Sequence, residues 1–272
     1  IPLRLVGSEM CIRDRINIRR ILMDLIADFF RDLASTTPRW NFIWMYEPVQ
    51  QGKILSGIWV TIKLSIACLI FSIVIGVAGA FAQGSSNRFL RAFVQGYIQF
   101  FRNTPPYVQL LFFYFALGQF TPTYSPDGWL ELPIISNVGW AIISLSFFAG
   151  AFNVEIFRAG IEAVPESTKE AANSLGFNRS QIYMYIVMPL AVRVSLPALN
   201  NNLVNLVKTT TQAFGIAVPE LLYQSVTIWN DYPSALYPTM LLVFVVYILL
   251  VGVLVAGMNS WEQKMRIPGY GT

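Results

Sequence analysis

The sequence predicts an all-α protein built for a lipid bilayer, and three observations carry that expectation. Hydrophobic residues make up 55% of the 272-residue chain and charged residues only 12%, against roughly a quarter charged in soluble domains, so a single aqueous surface cannot cover it. The apolar residues fall in runs that approach the about 20 helical residues needed to cross about 30 Å of hydrocarbon. Lys and Arg gather in short loops that alternate with loops lacking them, the pattern that sorts loops to the two sides of a membrane.

Taken in order, residues 1–15 (IPLRLVGSEMCIRDR) look like translated sequencing-adapter read-through and are set aside from fold reasoning. Residues 16–53 form an amino-terminal amphipathic segment. Within it Ile18, Ile21, Leu22, Leu25, Ile26, Phe29 and Leu33 recur at helical spacing, with Arg19, Arg20, Asp24, Asp28, Arg31 and Asp32 between them. That pattern suits a surface helix, packed on the rest of the fold or lying on lipid. Residues 54–258 read as the transmembrane domain, with about five spans near 54–82, 104–120, 135–157, 196–217 and 235–258. The fifth is charge-free (ALYPTMLLVFVVYILLVGVLVAGM) and the fourth is the least hydrophobic. Residues 259–272 form a carboxyl-terminal tail.

Loop charge sets the orientation. Arg88 and Arg91 follow the first span, Lys169, Arg179 and Arg193 the third, and Lys264 and Arg266 the fifth, which places these loops inside. The intervening loops carry Asp127, Glu131, Glu220 and Asp231 with no Lys or Arg and belong outside. Five crossings then put the amino end outside and the carboxyl end inside. Arg19, Arg20, Arg31, Arg39 and Lys53 pull against this, since they fall on the outer side beside Asp24, Asp28, Asp32 and Glu47.

Several chemistries are poorly served. The chain has no histidine, the commonest metal ligand and neutral-pH proton carrier. Its two cysteines, Cys11 and Cys68, make no disulfide framework. The formal net charge of +4 is spread over short loops and offers no basic run for nucleic acid. No G-x-x-x-x-G-K-[ST] loop is present to cradle a nucleotide, because Gly52-Lys53 is followed by Ile54.

The most specific signal is PESTKEAANSLGFNRSQIYMYIVMP, in the cytoplasmic loop of residues 160–194. Glu170-Ala171-Ala172 is followed after three residues by Gly176, then after nine by Ile186, then by Pro189. Ser167 and Glu170 have the spacing of a capping box, Gly176 suits a left-handed helix end, and Asn178 with Gln181 repeats the capping pattern. The expected product is a protruding helix-turn-helix with a small-residue face. As a generic sequence it would only join two spans. Its spacing, however, resembles the EAA loop of binding-protein-dependent ABC permeases. GIWVTIKLS, FFRNTPPYVQLLFFYF, FNVEIFRAGI and LVKTTTQAFGIAVPELL are similar to signatures of the polar amino acid group within that family. The chain departs from the group at Glu166-Ser167, where Gly-Gln is usual, and at Thr209, where an acidic residue is common. The resemblance implies an ABC importer type I permease fold. It also implies that Glu170, Ala171, Ala172, Gly176 and Pro189 couple to a separate ATPase.

The fourth span carries Asn201, Asn205, Lys208 and Gln212 at i, i+4, i+7 and i+11, on one helical face. A lysine at membrane depth needs protein, water or a counter-charge. Glu155 of the third span is its expected partner, with Arg158 competing for that carboxylate. With Asn153 and with Arg102, which precedes the Thr104-Pro105-Pro106 break, these residues form an expected polar path for a zwitterionic solute. The bland alternative is interhelical hydrogen-bonding glue.

Together these readings predict a permease subunit of an ATP-driven importer for polar amino acids in the bacterial cytoplasmic membrane. The chain itself is expected to hold no cofactor, ATP and Mg being used by ABC ATPase subunits. An extracytoplasmic solute-binding protein and a second permease subunit, identical or paralogous, complete the expected complex. An ion-coupled secondary transporter is the alternative, although it has no use for the coupling loop, and a membrane enzyme lacks an evident nucleophile–base pair.

Overall fold

The computed structural model describes residues 24–265 except Pro38 and Asp127. The adapter-like residues 1–15, the start of the amphipathic segment and Arg266 lie outside the described residues. The rest of that segment is helical over residues 24–36 (α1), followed by a single turn, Ile43–Tyr46 (α2).

The first expected span is a helix of 36 residues, Pro48–Gln83 (α3). It begins six residues before the expected position of 54, because Pro48 occupies the first turn, where its missing N–H costs nothing. A turn at residues 84–87 leads into Arg88–Asn103 (α4), whose amino end is capped by Asn87 Oδ1 accepting from Phe89 N at 2.9 Å and Leu90 N at 3.4 Å. Val94, Ile98 and Phe101 make its buried stripe. Four-residue and three-residue steps line them up on one face.

Thr104 and Pro105 then break the helix. The expected second span is helical only from Pro106: Pro106–Leu111 (α5), a π turn at Phe112–Ala116 and a 3-10 turn at Leu117–Phe120. Residues 106–120 rise about 22 Å at about 1.5 Å per residue, short of the bilayer core. A two-stranded ribbon, Thr123–Tyr124 (β1) antiparallel to Leu132–Pro133 (β2), follows.

The remaining spans run longer than expected. Asn137–Glu162 (α6) starts at Ser136, whose Oγ accepts from Gly139 N at 3.2 Å. Glu166–Ser174 (α7) and Arg179–Ile182 (α8) make up the loop, and a π turn at Tyr183–Val187 leads into Met188–Thr209 (α9). A 3-10 turn at Thr210–Ile216 ends that helical stretch. Leu221–Asp231 (α10) and Leu236–Met265 (α11) complete the chain.

Four helical stretches among the described residues are long and apolar enough to cross a membrane: Pro48–Gln83, Asn137–Glu162, Arg179–Ile216 and Pro233–Met265. The segment of residues 104–120, expected as a further span, is not one of the four.

The chain separates into two compact units. One joins the described residues up to Val60 with Pro219–Val246, and the other holds Thr61–Val218 with Tyr247 onward. In the first, Lys53 Nζ bonds Asp231 Oδ2 at 3.3 Å, and the buried Glu220 caps α10 through Leu222 N and Tyr223 N, both at 2.8 Å. In the second, α6 is the central element, packed on α3, α4 and α9. Close contact needs glycine: a methyl on Gly76 would collide with Asn153 Cβ, one on Gly79 with Val154, and one on Gly160 with Ser195 Oγ and, at 2.6 Å, with the Ala191 carbonyl. Small residues at crossings are how helices approach closely where burial of oil against oil supplies no drive.

Candidate coupling loop and membrane path

The loop begins at Pro165, the residue before the first helical turn of α7, which carries no side-chain cap. The capping box expected at Ser167 and Glu170 therefore does not form. The helix starts one residue before Ser167, and Glu166 instead takes the favourable acidic place in the first turn, paired with Lys169 at 2.8 Å. The other end matches expectation. Gly176 has φ +85°, Gly176 N donates to Asn173 O at 3.0 Å and Phe177 N to Ala172 O at 3.2 Å, which together make a Schellman cap. Two residues later Asn178 N donates to Gln181 Oε1 and Gln181 N to Asn178 Oδ1, both at 2.9 Å, so the second capping box is complete.

Ala171 and Ala172 have opposite surroundings. Ala172 is buried with Val164, Ile182, Val187 and Ala191, and Ile161, Tyr183, Ile186 and Leu190 pack around this cluster. Glu170 and Ala171 point away from it and are exposed, and the Glu170 carboxylate makes no ion pair among the described residues. Leu175, 78% exposed, extends the outward face. Sequence reasoning missed Leu175, although an apolar residue directly before a capping glycine is a readable signal. Tyr183 packs at a tilt against Phe81 in the last turn of α3, centroids 6.0 Å apart, so the loop is tied to the ends of α3, α6 and α9. Pro189 follows the π turn at Tyr183–Val187. The wider turn accommodates a proline that has no N–H to give and a ring that would crowd an ordinary helix.

The predicted path residues fall into three groups. Arg102 and Glu155 form an ion pair linking α4 to α6, and the Arg102 guanidinium lies over the Phe152 ring, 5.3 Å from its centroid. Arg158 bonds Glu162 at 2.7 Å and Gln83 Oε1 at 3.0 Å. The expected Lys208–Glu155 partnership is thus corrected, because the cation that reaches Glu155 comes from the helix break and not from the fourth span. Asn201, Asn205 and Lys208 do share the exposed face of α9, with Gln212 half-buried beyond them. Lys208 makes no ion pair among the described residues.

Asn153 stands apart. It is fully buried, and its Oδ1 accepts from Asn202 Nδ2 at 2.7 Å, while Asn202 also donates to Ala149 O at 3.0 Å. Here the polar side chain joins α6 to α9. Gln109, which sequence reasoning passed over, is buried at the helix break. Its Nε2 donates to Phe101 O at 2.8 Å, to Thr104 O at 3.0 Å and to Thr104 Oγ1. Pro105 has no N–H for the Phe101 carbonyl, and the Gln109 amide supplies the missing donor.

Residues 72–266 match the family model described as "Binding-protein-dependent transport system inner membrane component". The histidine/lysine/arginine/ornithine transport system permease protein HisM of Salmonella typhimurium is 31% identical over 246 residues, 89% of this chain and 97% of that protein. The glutamate/aspartate import permease protein GltJ of Escherichia coli is 29% identical over 221 residues, 80% of this chain and 89% of that protein. In structure, the chain is similar to a crystallised amino acid ABC transporter with histidines, at 26% identity and TM-score 0.68, covering 79% of this chain and 94% of the other. It shares its fold with the MetNI methionine ABC transporter, at 18% identity and TM-score 0.62, over 81% of this chain and 99% of the other.

Proposed function

Because the chain belongs to the family of binding-protein-dependent transport system inner membrane components, we propose that it is the membrane-spanning permease subunit of an ATP-driven importer for polar amino acids. It is a multi-pass protein of the bacterial cytoplasmic membrane, and it is not itself the ATPase. The observation that carries the reading is the doubly capped α7–α8 loop, which turns Glu170, Ala171 and Leu175 outward while its inner face is locked to α6 and α9 through Ala172.

On this reading an ABC ATPase subunit, holding ATP and Mg, grips the outward face of α7. Closure of the ATPase moves a short rigid helix whose displacement passes through Ala172, Ile182 and Tyr183 to the ends of three helices. Loop charge argues for a fifth crossing at residues 106–120 despite their short helical rise, which leaves the amino end outside and the carboxyl end inside, with the cation-free loops at residues 121–134 and 218–234 on the outer side. A second permease subunit faces the exposed stripe of α9, and an extracytoplasmic binding protein delivers the solute.

The polar stripe of Asn201, Asn205 and Lys208 offers amides and an ammonium to a zwitterion, and the Arg102–Glu155 pair, linking α4 to α6, is a second polar element that can open or close. The two relatives carry names for acidic and for basic amino acids, and the proposed solute class here is the polar amino acids they share. The test is reconstitution with the ATPase and binding protein in proteoliposomes. Glu170→Lys is expected to abolish ATP-driven uptake with the complex still assembled, and Lys208→Gln to raise the half-saturating solute concentration. Uptake by this chain alone under an ion gradient, or full uptake by Glu170→Lys, would overturn the reading.

A further inference from the structure

We infer that α1, residues 24–36, is an interfacial helix that lies on the bilayer, with Leu25, Ile26 and Phe29 seated among lipid chains at the head of α11.

The helix divides into three sectors when positions advance by about 100° per residue. Ala27, Phe30, Leu33 and Ala34 make the half-buried sector, where Phe30 meets Phe42 at a centroid distance of 5.0 Å. Asp24, Asp28, Arg31, Asp32 and Ser35 make the polar sector, with Arg31 bonded to Asp28 at 2.9 Å. Leu25 and Phe29 fall between the two and are 67% and 63% exposed, and Ile26, 37% exposed, stands at the margin of the half-buried sector next to Leu33. Thr36 shares this strip in the last turn, and its hydroxyl donates back to the Asp32 carbonyl at 3.2 Å and the Leu33 carbonyl at 3.1 Å, so it needs no water there.

The chain that follows α1 fixes the depth at which it lies. Asn41 N donates to Ser234 O at 3.2 Å and Asn41 Nδ2 to Ser234 Oγ at 3.2 Å, while Trp40 stacks on Tyr237 at 6.5 Å and on Phe42 at 6.2 Å. Ser234 and Tyr237 belong to the first turns of the span Pro233–Met265, the most apolar of the four and the one whose apolar window is unburied by protein. Trp40 and Tyr237, each about half exposed, are the ring types that settle at the level of lipid headgroups. The linker is therefore held where hydrocarbon gives way to water. Through the Phe30–Phe42 and Phe42–Trp40 ring contacts α1 is tied to this linker, which brings its exposed apolar ridge to the same level. The polar sector holds three carboxylates and one guanidinium, so apolar contact and not attraction to anionic lipid holds the helix down.

The test places the photoreactive residue benzoylphenylalanine at Leu25, Phe29, Asp32 or Ser35 of the full chain. Each form is reconstituted in vesicles of phosphatidylcholine with or without phosphatidylglycerol, and the products of illumination are read by mass spectrometry. Phospholipid adducts are expected from positions 25 and 29, several-fold above positions 32 and 35, and equally in both vesicle types. Adducts to protein from 25 and 29 would show that a partner or a second copy covers the face. Equal lipid labelling at all four positions, none at 25 and 29, or dependence on phosphatidylglycerol would likewise overturn the inference. Leu25→Ser with Phe29→Ser, which removes the ridge and the edge contact of Phe29 on Phe30 at 5.4 Å but keeps both rings of the Phe30–Phe42 pair, is expected to release α1 to the aqueous phase, seen as faster amide exchange across residues 24–36 while α11 remains protected.

Discussion

Gly176→Ala is the sharpest perturbation of the coupling loop, because its cost is conformational and almost nothing else. At φ +85° an added methyl meets no atom within 4 Å, so no packing clash contributes. An L-residue held in the left-handed region loses about 1–2 kcal/mol, which shifts the equilibrium between the closed and opened turn by a factor of roughly 5–30. Opening the turn releases two hydrogen bonds, Gly176 N to Asn173 O and Phe177 N to Ala172 O, and swings Leu175 away from Glu170 and Ala171. Solute-stimulated ATP hydrolysis in the reconstituted complex should fall most for Gly176→Val, whose branched side chain tolerates the conformation worst, less for Gly176→Ala, and least for Gly176→Asn. Amide exchange at Phe177 should rise in the same order. Wild-type coupling in the valine variant, or an asparagine variant as damaged as the valine one, would refute the reasoning.

Ala217 offers the reverse experiment, since it holds φ +55° in a second Schellman cap, with Val218 N donating to Ala213 O at 3.2 Å. Ala217→Gly should raise the detergent-solubilised chain's resistance to thermal unfolding by about 1 kcal/mol. Gly160→Ala should destabilise by about 1–3 kcal/mol through overpacking. Adding Ser195→Ala should recover only part of that loss in the same melt, because the Ala191 carbonyl remains 2.6 Å from the new methyl. Gln109→Leu strands the Phe101 and Thr104 carbonyls at the helix break and should cost about 1–3 kcal/mol, read as lowered thermal stability together with faster exchange across residues 106–120.

What the sequence revealed and what it concealed divide along physical lines. The Asn178–Gln181 capping box and the Gly176 turn were legible because their donors and acceptors lie within a few residues of each other. Long apolar runs announced α3 and α11 for the same reason, although Pro48 started the first span earlier than hydropathy alone suggested. The Ser167–Glu170 pattern has identical spacing yet forms no cap, since Pro165 had already determined where the helix begins. Partners across helices were not legible. Glu155 has cations at several sequence distances, and only the break at Pro105 and Pro106 brings Arg102 to it instead of Lys208. Asn153 looked like a path residue by its polarity, and its bond to Asn202 depends on a helix crossing that no local pattern encodes. Gln109 was overlooked because its task is to replace an amide that proline lacks, an absence that only the folded backbone makes visible.

The glycine contacts between α3 and α6 and between α6 and α9 have a mechanical corollary. Each glycine seats against a short or branched group with little freedom to reorient, the Asn153 Cβ, the Val154 methyls or the Ala191 carbonyl, so sliding by a fraction of a residue meets overlap there. Within the second unit, residues 61–83 of α3 should therefore travel with α6 and α9 as one block during a transport cycle. Compliance is left to the places where the hydrogen-bonding repeat changes, the π turns at Phe112–Ala116 and Tyr183–Val187 and the 3-10 turn at Thr210–Ile216, each of which can gain or lose one rung of its ladder without unfolding. The stroke delivered from the cytoplasmic side would then emerge as bending at those joints, around a centre that keeps its form.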